Sequence, residues 1–129
     1  MAEWRMVGEV SVLQQKKCHH VYSQRHRTND LVMFYKGEKF YAMGAWCSHM
    51  GGPLFKGDIE DYKGRCHVIC PWHGYMFDLE TGKNEIGIEQ EVFEVKSEDG
   101  KVYILHQDQL SLTPFDVKED TAGSTSENS

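Results

Sequence analysis

Apolar and polar residues alternate over short stretches of this chain far more often than they recur at helical spacing. Residues 17–22 (KCHHVY) have strand-like content, and 31–35 (LVMFY) form an unbroken apolar run of strand length. Lys36-Gly37-Glu38 turns the chain and residues 39–45 (KFYAMGA) return it, which predicts a β-hairpin. Towards the other end, Glu91 to Ser97 (EVFEVKS) alternates, with Val92, Phe93 and Val95 supplying its apolar content. Asp99-Gly100 is a type I′ turn signal, and Val102 to Leu105 reads as the returning strand. The one competing pattern is a weak helical period at Ser11 to Lys16.

Residues 46–84, between the hairpins, look different. They are rich in Gly, Cys, His and Pro, with short strand candidates only at Arg65 to Ile69 and Met76 to Leu79. Glu80-Thr81-Gly82-Lys83 reads as a turn, and Asp61 and Tyr62 read as loop residues. A loop-rich insert of this kind buries little apolar surface by itself. Something else must hold it together, and bound metal is the obvious means. From Asp116 the chain runs DVKEDTAGSTSENS, a polar, small and acidic composition that predicts disorder.

Composition narrows the class. A length of 129 residues suits one domain, and 40% hydrophobic with 26% charged residues is ordinary for a globular protein. No apolar run approaches the ~20 residues a spanning helix needs. The N-terminus MAEWRMVGEV is neither a secretory signal nor an Arg- and Ser-rich transit peptide, so a cytoplasmic location is expected. The net charge of −6 is unevenly placed. From residue 106 onward, Asp108, Asp116, Glu119, Asp120 and Glu127 stand against Lys118 alone, leaving the body near neutral at −2. An acidic tail on a near-neutral body argues against a nucleic-acid partner. The basic stretch 16–27 (KKCHHVYSQRHR) reads as a solvated strand and loop; a docking patch for an acidic partner is the alternative.

The four cysteines are Cys18, Cys47, Cys66 and Cys70. Without a secretory signal, metal binding is the better first reading than disulfides. Two of them head short ligand pairs, Cys47-Ser48-His49 and Cys70-Pro71-Trp72-His73, with twenty residues between His49 and Cys70. A common zinc finger pairs Cys with Cys and His with His. Here each pair mixes one thiolate with one imidazole, and two equivalent mixed loops suit a two-centre cluster. Cys66 and Cys18 read as small buried hydrophobes, and His67 as a strand side chain. Trp46, beside Cys47, reads as a packing residue.

The stretches Cys47-Ser48-His49-Met50-Gly51-Gly52-Pro53-Leu54 and Cys70-Pro71-Trp72-His73-Gly74-Tyr75-Met76-Phe77-Asp78 resemble the two cluster-binding loops of Rieske [2Fe–2S] proteins, and Thr81-Gly82 fits too. The resemblance implies an all-β fold: an antiparallel β sandwich from residues 4–45 and 85–108, carrying a small rubredoxin-like cluster-binding subdomain over 46–84. Residues 1–108 would form the single Rieske domain and 109–129 a mostly disordered acidic tail. It implies that Cys47 and Cys70 hold the buried iron and that His49 and His73 hold the outer one. Met50, Leu54, Phe55 and Trp72 would cover the cluster, with Tyr75 nearby. Gly51, Gly52 and Gly74 would let backbone N–H groups reach the sulfurs, and Pro53 and Pro71 would stiffen the loops. Ile86-Gly87-Ile88 stands where several family members have a third loop near the cluster.

Departures from the family pattern sharpen the expectation. Respiratory Rieske proteins join the loops by a disulfide between positions equivalent to Gly52 and Trp72, so that bond cannot form here. The Ser and Tyr that hydrogen-bond the cluster in those proteins are replaced by Tyr75 and Phe77. Fewer hydrogen bonds favour the lower part of the family's range of roughly −150 to +300 mV. Too few residues follow the second loop to build an oxygenase's catalytic domain. The resemblance therefore implies a low-potential, monomeric one-electron carrier, not an enzyme, receiving electrons from a reductase and passing them to an oxygenase or other redox enzyme. The alternatives are a subunit like the small subunit of nitrite reductase, and a redox-sensing or structural zinc module.

Overall fold

The computed structural model describes residues 1–115; the disorder expected from Asp116 onward lies outside the described residues. In chain order the strands are β1 (Glu3–Glu9), β2 (Cys18–Ser23), β3 (Leu31–Lys36), β4 (Lys39–Gly44), β5 (Asp58–Tyr62) and β6 (Arg65–Ile69). They continue as β7 (Met76–Asp78), β8 (Val92–Phe93), β9 (Val95–Glu98), β10 (Lys101–His106) and β11 (Leu110–Ser111). One short helix, α1 (Val10–Leu13), follows β1, in place of the helical period expected at Ser11 to Lys16. The fold is antiparallel β, as expected. Its sheets run β1-β10-β9, β11-β2-β3-β4-β8 and β5-β6-β7. The third is built wholly from residues 58–78, inside the loop-rich stretch.

Both expected hairpins form. At the first, Gly37 and Glu38 both have positive φ, and at the second Asp99 and Gly100 do, as a two-residue type I′ turn requires. The apolar run LVMFY occupies β3, the middle of the five-stranded sheet. Val32 and Phe34 face one core while Leu31 and Met33 face the other, so both sides of the strand are buried. That explains a continuous apolar run where a one-sided strand would alternate. Full burial of each such side chain stabilises the fold by ~1.5–3 kcal/mol.

The structure departs from the sequence reading at four places. Residues 91–97 are two strands: β8 pairs with β4 and β9 with β10, with Glu94 at the crossing between sheets. Asp61 and Tyr62, expected in a loop, belong to β5, an edge strand with Ile59 as its single aliphatic residue. Its hairpin with β6 turns at Lys63-Gly64, again with both φ positive. β1 was not foreseen because a bulge between Met6 and Gly8 breaks its alternation. Finally, the sheet continues past residue 108, where the domain was expected to end. Leu110 pairs with Ser23 and Ser111 with Tyr22. Leu110 and Leu112 pack on the core, and buried Asp108 accepts bonds from Ser23 Oγ and Arg25 Nε, each 2.9 Å.

Candidate metal centre

The two loops that carry the candidate ligands are the same closed turn built twice. In the first, Cys47 N–H donates to Gly52 O and Gly51 N–H donates to Cys47 O, both 2.7 Å. In the second, Cys70 N–H donates to Tyr75 O (2.7 Å) and Gly74 N–H to Cys70 O (3.0 Å). Each cysteine thus spans to its fifth neighbour and is closed by a glycine at its fourth. Gly51 and Gly74 have φ of +81° and +77°, where a Cβ is strained. Gly51, Gly52 and Gly74 are expected to let backbone N–H groups reach the sulfurs; the N–H groups of Gly51 and Gly74 themselves close the loops on the cysteine carbonyls. The first loop is also pinned at its base, where Trp46 bridges to Pro53 and Leu54 N–H donates to Ala45 O.

The loops bring the sulfurs together inside and the imidazoles together outside. Cys47 and Cys70 are 3% and 1% exposed and belong to one core with Leu54, Phe77 and Leu79. Burial pushes the Cys47 thiol up. The N–H groups of His49 and Met50, bonded to its sulfur, pull it down, and the adjacent Cys70 thiol pushes it up again. The rings of His49 and His73 lie 5.5 Å apart, nearly perpendicular. His73 is exposed and His49 half-buried, and His49 Nδ1 is buried without a hydrogen-bond partner. Tyr75 lays its ring 4.2 Å from that of His49. Among the described residues no three His, Cys, Asp or Glu side chains converge on one ion position.

The other expected neighbours divide. Leu54 is fully buried beneath the sulfurs, whereas Met50 and Trp72 are more than half exposed at the tip. Phe55 packs, half-buried, against the core that holds both cysteines and stacks on His20, ring centroids 4.1 Å apart. Gly52 matters for its size: a Cβ there would sit 2.7 Å from Cys70 Sγ and 3.0 Å from Trp72 Cγ. Gly52 and Trp72 do face each other, with the exposed indole lying against the glycine. Ile86 is exposed and lines a cavity of about 160 Å³ with Gly74, Tyr75 and Met76. Phe77, fully buried, carries no polar atom to offer a sulfur.

The remaining cysteines stand apart from the pair. Cys66 Sγ donates to Asp61 Oδ1 and Cys18 Sγ to Phe55 O, each 3.2 Å, and burial pushes the Cys18 thiol up to about 11. His67 Nδ1 lies 2.9 Å from Arg65 O. Within the basic stretch, His20 is hydrogen-bonded to Asp30 (2.7 Å) and Arg25 is paired with Asp108. Trp46 is held by its indole N–H on Arg27 O (2.7 Å). The residue that sequence reasoning missed is Gln90. It is 5% exposed, and its amide bonds the backbone on both sides of Cys47.

Comparison with known proteins gives the family and the fold. Residues 6–86 match the family model of the soluble Rieske-type ferredoxins. The human Rieske domain-containing protein is 34% identical over 108 residues, covering 70% of this chain and 66% of its own length; this chain therefore spans just under two thirds of that relative. The solved complex of reduced oxygenase and oxidized ferredoxin in carbazole 1,9a-dioxygenase contains a chain matching with a TM-score of 0.70 and 27% identity. The match covers 82% of this chain and 95% of that one. A Mycobacterium tuberculosis structure assigned as an NADH-dependent nitrite reductase small subunit shares the fold, at a TM-score of 0.72 and 16% identity over 83% of this chain and 97% of its own.

Proposed function

The chain belongs to the soluble Rieske-type ferredoxins, and on that premise we propose that Cys47, His49, Cys70 and His73 hold one [2Fe–2S] cluster in a one-electron carrier. The observation that carries the reading is the paired-loop geometry. Two buried thiols lie together, and two imidazoles lie together above them at the protein's edge. A Rieske cluster asks for two thiolates on one iron and two imidazoles on the other. The orphaned Nδ1 of His49 is the donor chemistry such a site needs, since a buried ring nitrogen without a partner is costly.

When bound, the cluster supplies reversible one-electron chemistry without making or breaking a substrate bond. The chain's own residues do the rest. The core around Leu54 and Phe77 excludes water from the cysteine side. The N–H groups of His49 and Met50 offset negative charge on the Cys47 sulfur. Exposed His73, with exposed Met50 and Trp72 on the same two loops, offers a partner a close approach. The two loops, residues 47–55 and 70–76, contain no charged side chain, so this face favours an apolar counterpart. The proposed partners are a reductase as donor and an oxygenase or other redox enzyme as acceptor, with the monomer acting in the cytoplasm. No helix among the described residues is long and apolar enough to cross a membrane.

The test is iron, acid-labile sulfide and zinc analysis of protein purified without oxygen, joined to EPR of the reduced form. Two irons and two sulfides per chain with a rhombic signal are expected. Colourless, EPR-silent protein with stoichiometric zinc would overturn the reading.

A further inference from the structure

Gln90 lies between Glu89 and Glu91, in a polar stretch that carries none of the proposed ligands. Its backbone N–H donates to Gly82 O (2.7 Å), just after the second loop. A Cβ on Gly82 would fall 2.0 Å from Gln90 O, so the two backbones lie in direct contact. From this fixed base the side chain runs inward to the first loop. Its Nε2 donates to Gly44 O (2.9 Å) and Trp46 O (2.7 Å), and its Oε1 accepts from Ser48 N–H (2.9 Å). Two carbonyls on one side and an N–H on the other leave a single sensible orientation for the amide.

The consequence for Cys47 is specific. The carbonyl before it and the N–H after it are both held by one buried side chain. The N–H of Ser48 goes to Gln90, and the next two N–H groups, those of His49 and Met50, follow it in the same loop beside Cys47. We infer that Gln90 is a positioning residue, which orients the peptides around Cys47 so that the His49 and Met50 N–H groups point at the sulfur and set the cluster's reduction potential. This inference builds on the ligand reading above. N–H···S bonds favour the more negative, reduced state, and hydrogen bonds to the sulfurs are a known lever on potential. Without the amide, Ser48 N–H and Trp46 O lose their partner and the peptides are free to tilt. The potential should then fall, although Gln90 is no ligand.

The experiment is protein-film voltammetry and EPR on Gln90→Met, which keeps the length of the side chain and removes its hydrogen bonds. Glu89→Gln serves as a neighbouring control. The expected result is full iron and sulfide content, a reduction equilibrium constant about tenfold smaller (~59 mV lower for one electron) and displaced g-values. The control should match the wild type. A wild-type potential and spectrum in Gln90→Met would overturn the inference, even if its melting temperature dropped. If Gln90→Met purifies without iron, Gln90→Asn, neutral but one methylene shorter, takes its place, and a lowered potential is again expected. Iron-free protein from both variants, folded by circular dichroism, would support positioning of the loop. Failure of both to fold would overturn it by assigning Gln90 to the fold alone. Wild-type protein without iron would instead defeat the cluster reading and leave the hydrogen-bond geometry of Gln90 standing.

Discussion

Replacing Gly52 by alanine adds one methyl group at the point where the two loops touch. The new Cβ would lie 2.7 Å from Cys70 Sγ, about 0.7 Å inside the ordinary contact limit of 3.4 Å. It would also lie 3.0 Å from Trp72 Cγ. The indole is more than half exposed and can swing away; the sulfur cannot. Cys70 is 1% exposed, its N–H is bonded to Tyr75 O, and its carbonyl is bonded by Gly74 N–H. The overlap must therefore open the gap between the loops, and overpacking of this kind costs about 1–3 kcal/mol. For a domain of this size that is roughly 4–12 °C of melting temperature. If Cys47 and Cys70 share an iron, the opening also separates two ligands, so iron and sulfide per chain should fall along with stability. Gly51→Ala is the comparison. It meets nothing within 4 Å but has φ of +81°, so it should cost ~1–2 kcal/mol through the backbone alone and leave cluster content largely intact. Both variants are read by metal and sulfide analysis and by thermal melting. Gly52→Ala with full iron and a wild-type melting temperature would refute the reasoning.

Other outcomes follow from the same geometry. His73→Ala should lose or remodel the cluster while Cys66→Ser keeps it, because Cys66 bonds Asp61 and not the centre; iron analysis decides, and bleaching by Cys66→Ser would contradict the ligand set. With Phe77 apolar, the midpoint should fall in the lower part of the family's range of roughly −150 to +300 mV, and a voltammogram well above about +100 mV would contradict that. For Asp78, burial alone would raise the carboxyl. The Arg65 guanidinium and the N–H groups of Thr81 and Glu80 prevail and hold it at about 2, below its ordinary 3.8. A carboxyl lowered on folding contributes stability above its unfolded value and loses it as pH falls towards its folded one. Roughly 2 kcal/mol should therefore disappear between about pH 4 and pH 2, and chemical denaturation of Asp78→Asn should be flatter across that window.

How much of this was readable in the chain depends on where the information is held. The candidate ligands and the hairpins were legible because side chains carry them: CxH and CPWH at a fixed separation, LVMFY buried on both faces, Asp99-Gly100 at a turn. β1 and β5 were not. A bulge interrupts the alternation of the first, and the second is an acidic edge strand held by backbone pairing to β6. The division of β8 from β9 was hidden for a related reason. Val92, Phe93 and Val95 look like one strand until the chain changes sheets at Glu94. Gln90 left no trace because a glutamine amide between two glutamates looks like surface, and only the fold shows it buried against three peptide groups.

The loops themselves show why a metal site can be half legible. Their framework is backbone: cysteine N–H to the fifth residue on, and cysteine carbonyl from the fourth. Backbone bonds leave no side-chain signature, with one exception. The fourth residue adopts positive φ in both loops, and in both it is glycine, Gly51 and Gly74. A cysteine followed four places later by glycine, occurring twice, is therefore the sequence mark of the closed turn. It is independent of the histidines, which stand two residues after Cys47 but three after Cys70. The two loops share a backbone turn, so the glycine position is fixed by its positive φ, while the candidate ligand position within the turn differs.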